Sequence, residues 1–225
     1  MIKNNYYESH AFYDDNARMN EVFSDNDIAV MFYTLIRSKD YLKNIYGEWM
    51  KARDLCILAA LRYMLLRPKE ACCLMFKDLN FKKMQIHIRG ETNKEKKDRF
   101  LCIPDKFLSF YKYYMGFPKW LWKNSEFLFP SFENGHISPG RWKTIMREKI
   151  LKPAGVYEPP VHNRMPRTRS YLLRASGATE LLDKGADPWT VAQTLGHGDL
   201  RTIKNYFFQT ERFREHQKEF LNKIN

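Results

Sequence analysis

Two arginines, a lysine, a histidine and a tyrosine stand at the boundaries of the elements readable in this chain: Arg67, Lys94, Arg174, His197 and Tyr206. His197 and Tyr206 share one stretch, "LGHGDLRTIKNYF". Together these residue types suit transesterification at a phosphodiester. Arginine forks neutralise and orient a phosphate bidentately, and their value rises as charge builds on a pentacovalent transition state. A tyrosine can then attack phosphorus and store the bond energy in a phosphotyrosyl ester, so the reaction needs neither ATP nor a metal. Signatures of other chemistries are missing from the sequence: it has no GxxxxGK, GxGxxG, HExxH or GxSxG.

The composition agrees with a polyanionic partner. Thirty-eight Lys and Arg against 26 Asp and Glu give a net charge of +12, which favours nucleic acid over a membrane surface. A hydrophobic content of 44% with 15% aromatics excludes a mainly disordered chain, and 225 residues suffice for one good core. The beginning, "MIKNNYYESHAFYDD", lacks an apolar signal segment. The longest apolar run, "LCILAALRYMLL" (Leu55 to Leu66), is short and broken by Arg62. A soluble, cytoplasmic protein without a membrane partner is expected. Cys56, Cys72, Cys73 and Cys102 form no CxxC pair and have no His at zinc spacing, so they read as reduced core thiols; no metal and no cofactor is expected.

These residues need elements to hold them. Residues 1–23 read as a polar N-terminal arm. Ser24 with Asp27 begins a helix whose Ile28, Met31, Phe32, Leu35 and Ile36 follow at helical spacing. A second helix, from about Glu48 to Leu66, is apolar nearly all round in its second half and so central. Pro68 starts a new helix just after Arg67. "MQIHIRG" and "RFLCIP" alternate as two short antiparallel strands around the lysine-rich "ETNKEKKD". Helices follow from Asp105 and from Ser138-Pro139, where Trp142, Ile145, Met146 and Ile150 share a face. After a Pro-punctuated loop come "RTRSYLLRASGATELLDKG", closed by Gly185, and "DPWTVAQTLG", with Asp187 as N-cap and Gly196 past its end. Residues 211–225 read as an amphipathic helix with Phe213, Phe220, Leu221 and Ile224 on one face. The expected fold is mainly α with a small antiparallel β-sheet.

On these residues the chain resembles the tyrosine recombinases, the phage integrase family. "LGHGDLRTIKNYF" resembles that family's LGH-to-Tyr segment. "YLLRASGATELLDKGADPWTVAQTLGH" resembles its HxxR segment and continuation, and "LRYMLLRPKEACCLMFKDLNF" its first-arginine segment. The resemblance implies the family's catalytic fold over residues 24–210. It implies Tyr206 as the nucleophile of a 3′-phosphotyrosine, Arg67 and Arg174 as a phosphate clamp, and His197 as a hydrogen-bond donor to that phosphate. A turn lysine would protonate the leaving 5′ oxygen: "TNK" favours Lys94, counting back from Pro104 favours Lys96, and Lys97 is also in reach. Glu70 and Asp78 read as supporting groups. The implied partner is double-stranded DNA, and the implied assembly is a tetramer on paired sites. The terminal helix would dock in its own subunit or on a neighbour.

Two features depart from the family. Tyr171 stands where its box usually has His, and a phenol with a pKa of about 10 is a poor base at neutral pH. Such variants resemble archaeal and archaeal-virus members. The arm before Ser24 is also too short to supply the family's N-terminal clamp, so weak or assisted DNA binding is expected. Each site residue also has a plainer reading. Tyr206 could be a core aromatic beside Phe207, Arg67 a helix cap, His197 a countercharge at a helix C-terminus and the turn lysine a solvated side chain. Arg174, between Leu173 and Ala175, resists a plain reading, because a buried unpaired arginine is costly. The function expected is site-specific recombination or integration. A type IB topoisomerase-like enzyme and a catalytically degenerate DNA-binding protein are the alternatives.

Overall fold

A computed structural model describes residues 22–93, 95–131, 135–157 and 169–197, together with Glu215 and Lys218. Most of the arm, Lys94, Tyr206 and nearly all of the terminal helix lie outside the described residues. The helices are α1 (Asp25–Arg37), α2 (Ile45–Tyr63), α3 (Pro68–Cys72), α4 (Asp105–Met115), α5 (Pro139–Ile145), α6 (Arg169–Asp183) and α7 (Pro188–Leu195). A π-helical turn, Met146–Leu151, extends α5. One antiparallel sheet, ordered β1-β2-β3, joins Leu79–Asn80, Gln85–Ile88 and Arg99–Cys102. The fold is mainly α with one small sheet, as the periodicities imply. β1 escapes a reading of the sequence, because two residues are too few to show an alternation.

Local signals set the helix ends. Ser24 accepts from the Asp27 amide while Asp27 accepts from the Ser24 amide, a reciprocal capping box. Asp187 accepts from the amides of Trp189 and Thr190, and Pro188 follows it at the first helical position. Gly185, at φ 90°, ends α6. Phe23 is buried just before α1, its amide donating to Ser176 on α6.

α2 is the axis of the core. From Ala52 to Arg62 every residue is buried, including the ion pair Arg53–Asp54, whose carboxylate also accepts from the Tyr41 hydroxyl at 2.7 Å. A second, smaller cluster joins Leu65, Ala175, Ala178, Leu182, Val191, Ala192 and Leu195, binding α6 and α7 to the end of α2.

That end arrives sooner than the apolar run suggests. α2 stops at Tyr63, and Leu65 adopts a left-handed backbone, φ 53°, while the Leu66 amide reaches back to the Ala60 carbonyl at 3.5 Å. A branched residue takes this conformation at a cost. The turn is compensated by packing against α6, where Gly177 makes room: a Cβ there would stand 2.3 Å from Leu65 Cδ2 and 2.9 Å from the Arg62 carbonyl oxygen. Gly177→Ala is therefore expected to destabilise the fold by about 1–3 kcal/mol, although helix propensity alone would favour alanine by about 1 kcal/mol. Urea unfolding of the two proteins checks this; a gain in stability would show that α6 does not cross α2 this closely.

The pleat sorts the sheet residues. Ile86 and Ile88 face the core, and their cross-strand partners Leu101 and Arg99 share that face; His87 and Phe100 face outward, stacked with ring centres 4.8 Å apart. The same alternation corrects the expectation for the cysteines. Cys56 and Cys72 are buried, but Cys102 is exposed on the outer face of β3, and Cys73 is half-buried with its Sγ 3.6 Å from His136 Nε2.

Candidate active site

Arg67, Arg174 and His197 come from three different elements; the two arginines face one carboxylate, Glu70, and His197 stands against Arg174. Arg67 is the N-cap of α3, placed there by the break at Leu65 and by Pro68. Its amide donates to Glu70 Oε2 at 2.7 Å and its Nη1 to Oε1 at 3.1 Å. The plainer reading of Arg67 is thereby corrected: the helix N-terminus is capped by the Glu70 carboxylate, not by the arginine head on carbonyls.

Arg174 lies in the middle of α6 and is fully buried. Its Nη1 donates to the Leu65 carbonyl at 2.5 Å, its Nη2 donates to the Leu195 carbonyl, and Nη1 stands 3.7 Å from Glu70 Oε2. The strained turn at Leu65 and the last residue of α7 thus both present carbonyls to this guanidinium. His197 follows α7. Gly196 takes the left-handed conformation, φ 62°, and the His197 amide bonds back to the Ala192 carbonyl at 2.9 Å, which turns the imidazole towards Arg174. Nη2 of Arg174 and Nε2 of His197 are 3.4 Å apart.

The electrostatics follow from this crowding. Burial pushes the Glu70 carboxyl up, but the hydrogen bonds and charge of Arg99, the Arg67 amide and the charge of Arg174 outweigh it and hold the group below its usual value. Burial, reinforced by Arg174, Arg67 and Arg99, lowers His197 to about 4. The lowering disfavours the imidazolium that a countercharge at the end of α7 would require. Among the described residues, three guanidinium groups around one carboxylate make a surplus of positive charge, an arrangement that favours a bound anion.

A histidine with a folded pKa below its unfolded value of about 6.5 binds fewer protons folded than unfolded, so its contribution to stability is complete above that value and lost as pH falls towards 4. The loss is about 2–3 kcal/mol after discounting for partial exposure. Glu70 acts in the same direction at lower pH, since its carboxylate favours the fold only while ionised. Urea titrations from pH 7.5 to 4.5 should show this slope in the wild type and a shallower one in His197→Gln. Equal slopes would contradict the assignment.

Tyr171 is half-buried on α6, ahead of Arg174. Lys96 is exposed on the turn between β2 and β3 with a left-handed backbone, φ 52°. The turn is more than a solvated loop. Asn93 Nδ2 bonds to the carbonyls of Arg89 and Lys97, Thr92 Oγ1 bonds to the Arg89 carbonyl, and Asp98 accepts from the Gly90 amide at 2.7 Å while its other oxygen meets His87 Nε2 at 2.7 Å. Asp78 accepts from the Met75 amide and pairs with Arg89 at 3.3 Å, which fits a supporting role.

Sequence reasoning passes over Arg99. Its Nη1 and Nη2 donate to the two oxygens of Glu70, each at 2.9 Å, and its Nε donates to the Thr194 carbonyl at 3.3 Å. A signal exists: Arg99 has the same parity on β3 as the core residues Leu101 and Ile103, so a charge there faces inward and needs a partner.

Comparison with known proteins bears on the family and the fold. Residues 36–212 match the phage integrase family. Tyrosine recombinase XerA of Pyrococcus furiosus is 31% identical over 175 residues, covering 78% of this chain and 56% of the relative. Tyrosine recombinase XerD of Yersinia pestis is 31% identical over 176 residues, covering 75% and 54%. The chain thus spans about half the length of these relatives. The crystal structure of XerA recombinase superposes with a TM-score of 0.66 at 19% identity, covering 88% of this chain and 65% of that one. The XerH site-specific recombinase bound to its difH substrate, a pre-cleavage complex, gives 0.64 at 20% identity, covering 83% and 49%. The chain belongs to the phage integrase family, and its fold is that of the tyrosine recombinase catalytic domain.

Proposed function

We propose that this chain cleaves and rejoins DNA strands at specific sites through a covalent 3′-phosphotyrosine. The observation that supports this most is that Arg67 and Arg174 meet at the carboxylate of Glu70 and His197 stands against Arg174, in a chain that carries a tyrosine in the family position after LGH.

In this reading Tyr206 Oη attacks the scissile phosphorus. The bond from phosphorus to the 5′ oxygen breaks as the bond to Tyr206 forms, and the 5′ oxygen leaves with a proton from Lys94, with Lys96 as the alternative donor. Arg67 and Arg174 offset the charge that builds on the phosphoryl oxygens, and the neutral imidazole of His197 donates a hydrogen bond to one of them. The lowering of His197 makes it a weak base before DNA binds. The surplus positive charge favours the phenolate of Tyr206, whose proton passes through the Tyr171 hydroxyl to water. Rejoining is the same step reversed, with a 5′ hydroxyl as attacking group. The partner is double-stranded DNA, and the working assembly is a tetramer on paired sites in a prokaryotic or virus-infected cytoplasm. Among the described residues, no helix is long and apolar enough to cross a membrane.

The test is strand cleavage and transfer in EDTA, without ATP, on nicked duplexes supplied with a strand that carries a free 5′ hydroxyl. Joined products are expected, and binding should weaken by about 10³-fold or more between 50 and 200 mM salt if six or more phosphates are contacted. Salt-independent binding would contradict the DNA reading. Salt-sensitive binding with no joining and no covalent product would favour a degenerate DNA-binding protein.

A further inference from the structure

We infer that Arg99 is a positioning residue of this site, tying the strand that leaves the lysine turn to the carboxylate that orders Arg67 and to the helix end that presents His197. The inference rests on the proposed function and extends it to a residue whose side chain bonds to Glu70 and to the Thr194 carbonyl.

Three observations carry it. Arg99 faces the core on β3, its side chain only 11% exposed, and fills both oxygens of Glu70 with a parallel fork at 2.9 Å. Glu70 is the group that fixes the Arg67 amide and Nη1 and faces Arg174. On its other side Arg99 bonds through Nε to the Thr194 carbonyl and lies so close under Gly196 that a Cβ there would stand 2.8 Å from Nη1 and 3.0 Å from Cζ. The residue before it, Asp98, fixes the Gly90 amide at the opposite end of the lysine turn. Turn, carboxylate and helix end therefore form one hydrogen-bonded unit with Arg99 at its centre. A shift of β3 is passed to Arg67 through Glu70 and to His197 through the end of α7.

A fork and a point charge make different demands, and this separates positioning from simple charge. Arg99→Lys keeps the charge but cannot fill both carboxylate oxygens and the Thr194 carbonyl at once. Single-turnover cleavage of a nicked duplex is expected to fall on the order of 10²-fold in Arg99→Lys, because small misplacements of a catalytic group cost that much. DNA affinity should stay within about threefold of the wild type. Cleavage within threefold of the wild type would overturn the inference. Arg99→Gln removes the charge as well. In this variant the His197 ring, followed by NMR in the free protein, should titrate higher than in the wild type; an unchanged titration would overturn the inference. If Arg99→Gln does not fold, Arg99→Lys alone decides, by cleavage. If the wild type forms no covalent product with any duplex, the proposed function has failed, and the His197 titration still decides whether Arg99 sets up the site.

Discussion

Tyr206→Phe is expected to abolish covalent capture of DNA, lowering strand cleavage on the order of 10³-fold or more, while leaving DNA affinity within about twofold. The substitution removes one oxygen, and that oxygen is the proposed nucleophile; phenylalanine cannot form the ester. Affinity persists because it comes from lysine and arginine contacts to phosphates, which the change leaves intact. Denaturing gels of protein with radiolabelled nicked duplex, beside a binding titration at fixed salt, check both halves. Equal adduct from both proteins would assign the chemistry to another residue. A parallel loss of binding would mean that Tyr206 is a packing aromatic beside Phe207.

Glu70→Gln is expected to destabilise the protein by about 3–5 kcal/mol, the cost of leaving buried charges uncompensated. Three guanidinium groups share this carboxylate, and an amide in its place turns an NH2 donor towards donors that cannot accept. Domains of this kind are stable by about 5–15 kcal/mol in total, so the variant should fold but with a greatly lowered urea midpoint. Inorganic phosphate should recover more stability in the variant than in the wild type, because an anion can answer the freed arginines. A loss below 1 kcal/mol would show that the cluster is held by its carbonyl contacts alone.

The legible parts of this molecule are those written in local chemistry. The Ser24–Asp27 box, Asp187-Pro188 and the glycines at 185 and 196 each fix a helix end within a few residues, so the sequence suffices to place them. Arg174 is recognisable because a charge between Leu173 and Ala175 on a buried helix has to be answered. What stays hidden depends on contacts between distant segments. The left-handed turn at Leu65 exists because α6 offers Gly177 and Arg174 to it, and an apolar run gives no hint of that. Glu70 reads as a supporting group, although it is the centre of the cluster, since its partners at positions 67, 99 and 174 converge only in the fold. Arg99 falls between the two cases. Its parity on β3 marks it as inward-facing, but its partner lies on a helix that spacing could not connect to the strand. For Tyr206 and Lys94 the warrant remains the sequence pattern, because both lie outside the described residues.

The central claim is that the Arg67, Arg174 and His197 cluster serves Tyr206 in a phosphoryl transfer, and the most direct test is to map the covalent bond. The adduct formed with a nicked duplex would be digested with protease and nuclease, and the residue carrying nucleotide identified by mass spectrometry. The account predicts one modified peptide, containing Tyr206, with its oxygen esterified to a 3′ phosphate. A bond at any other residue, or a 5′ linkage at Tyr206, would contradict it.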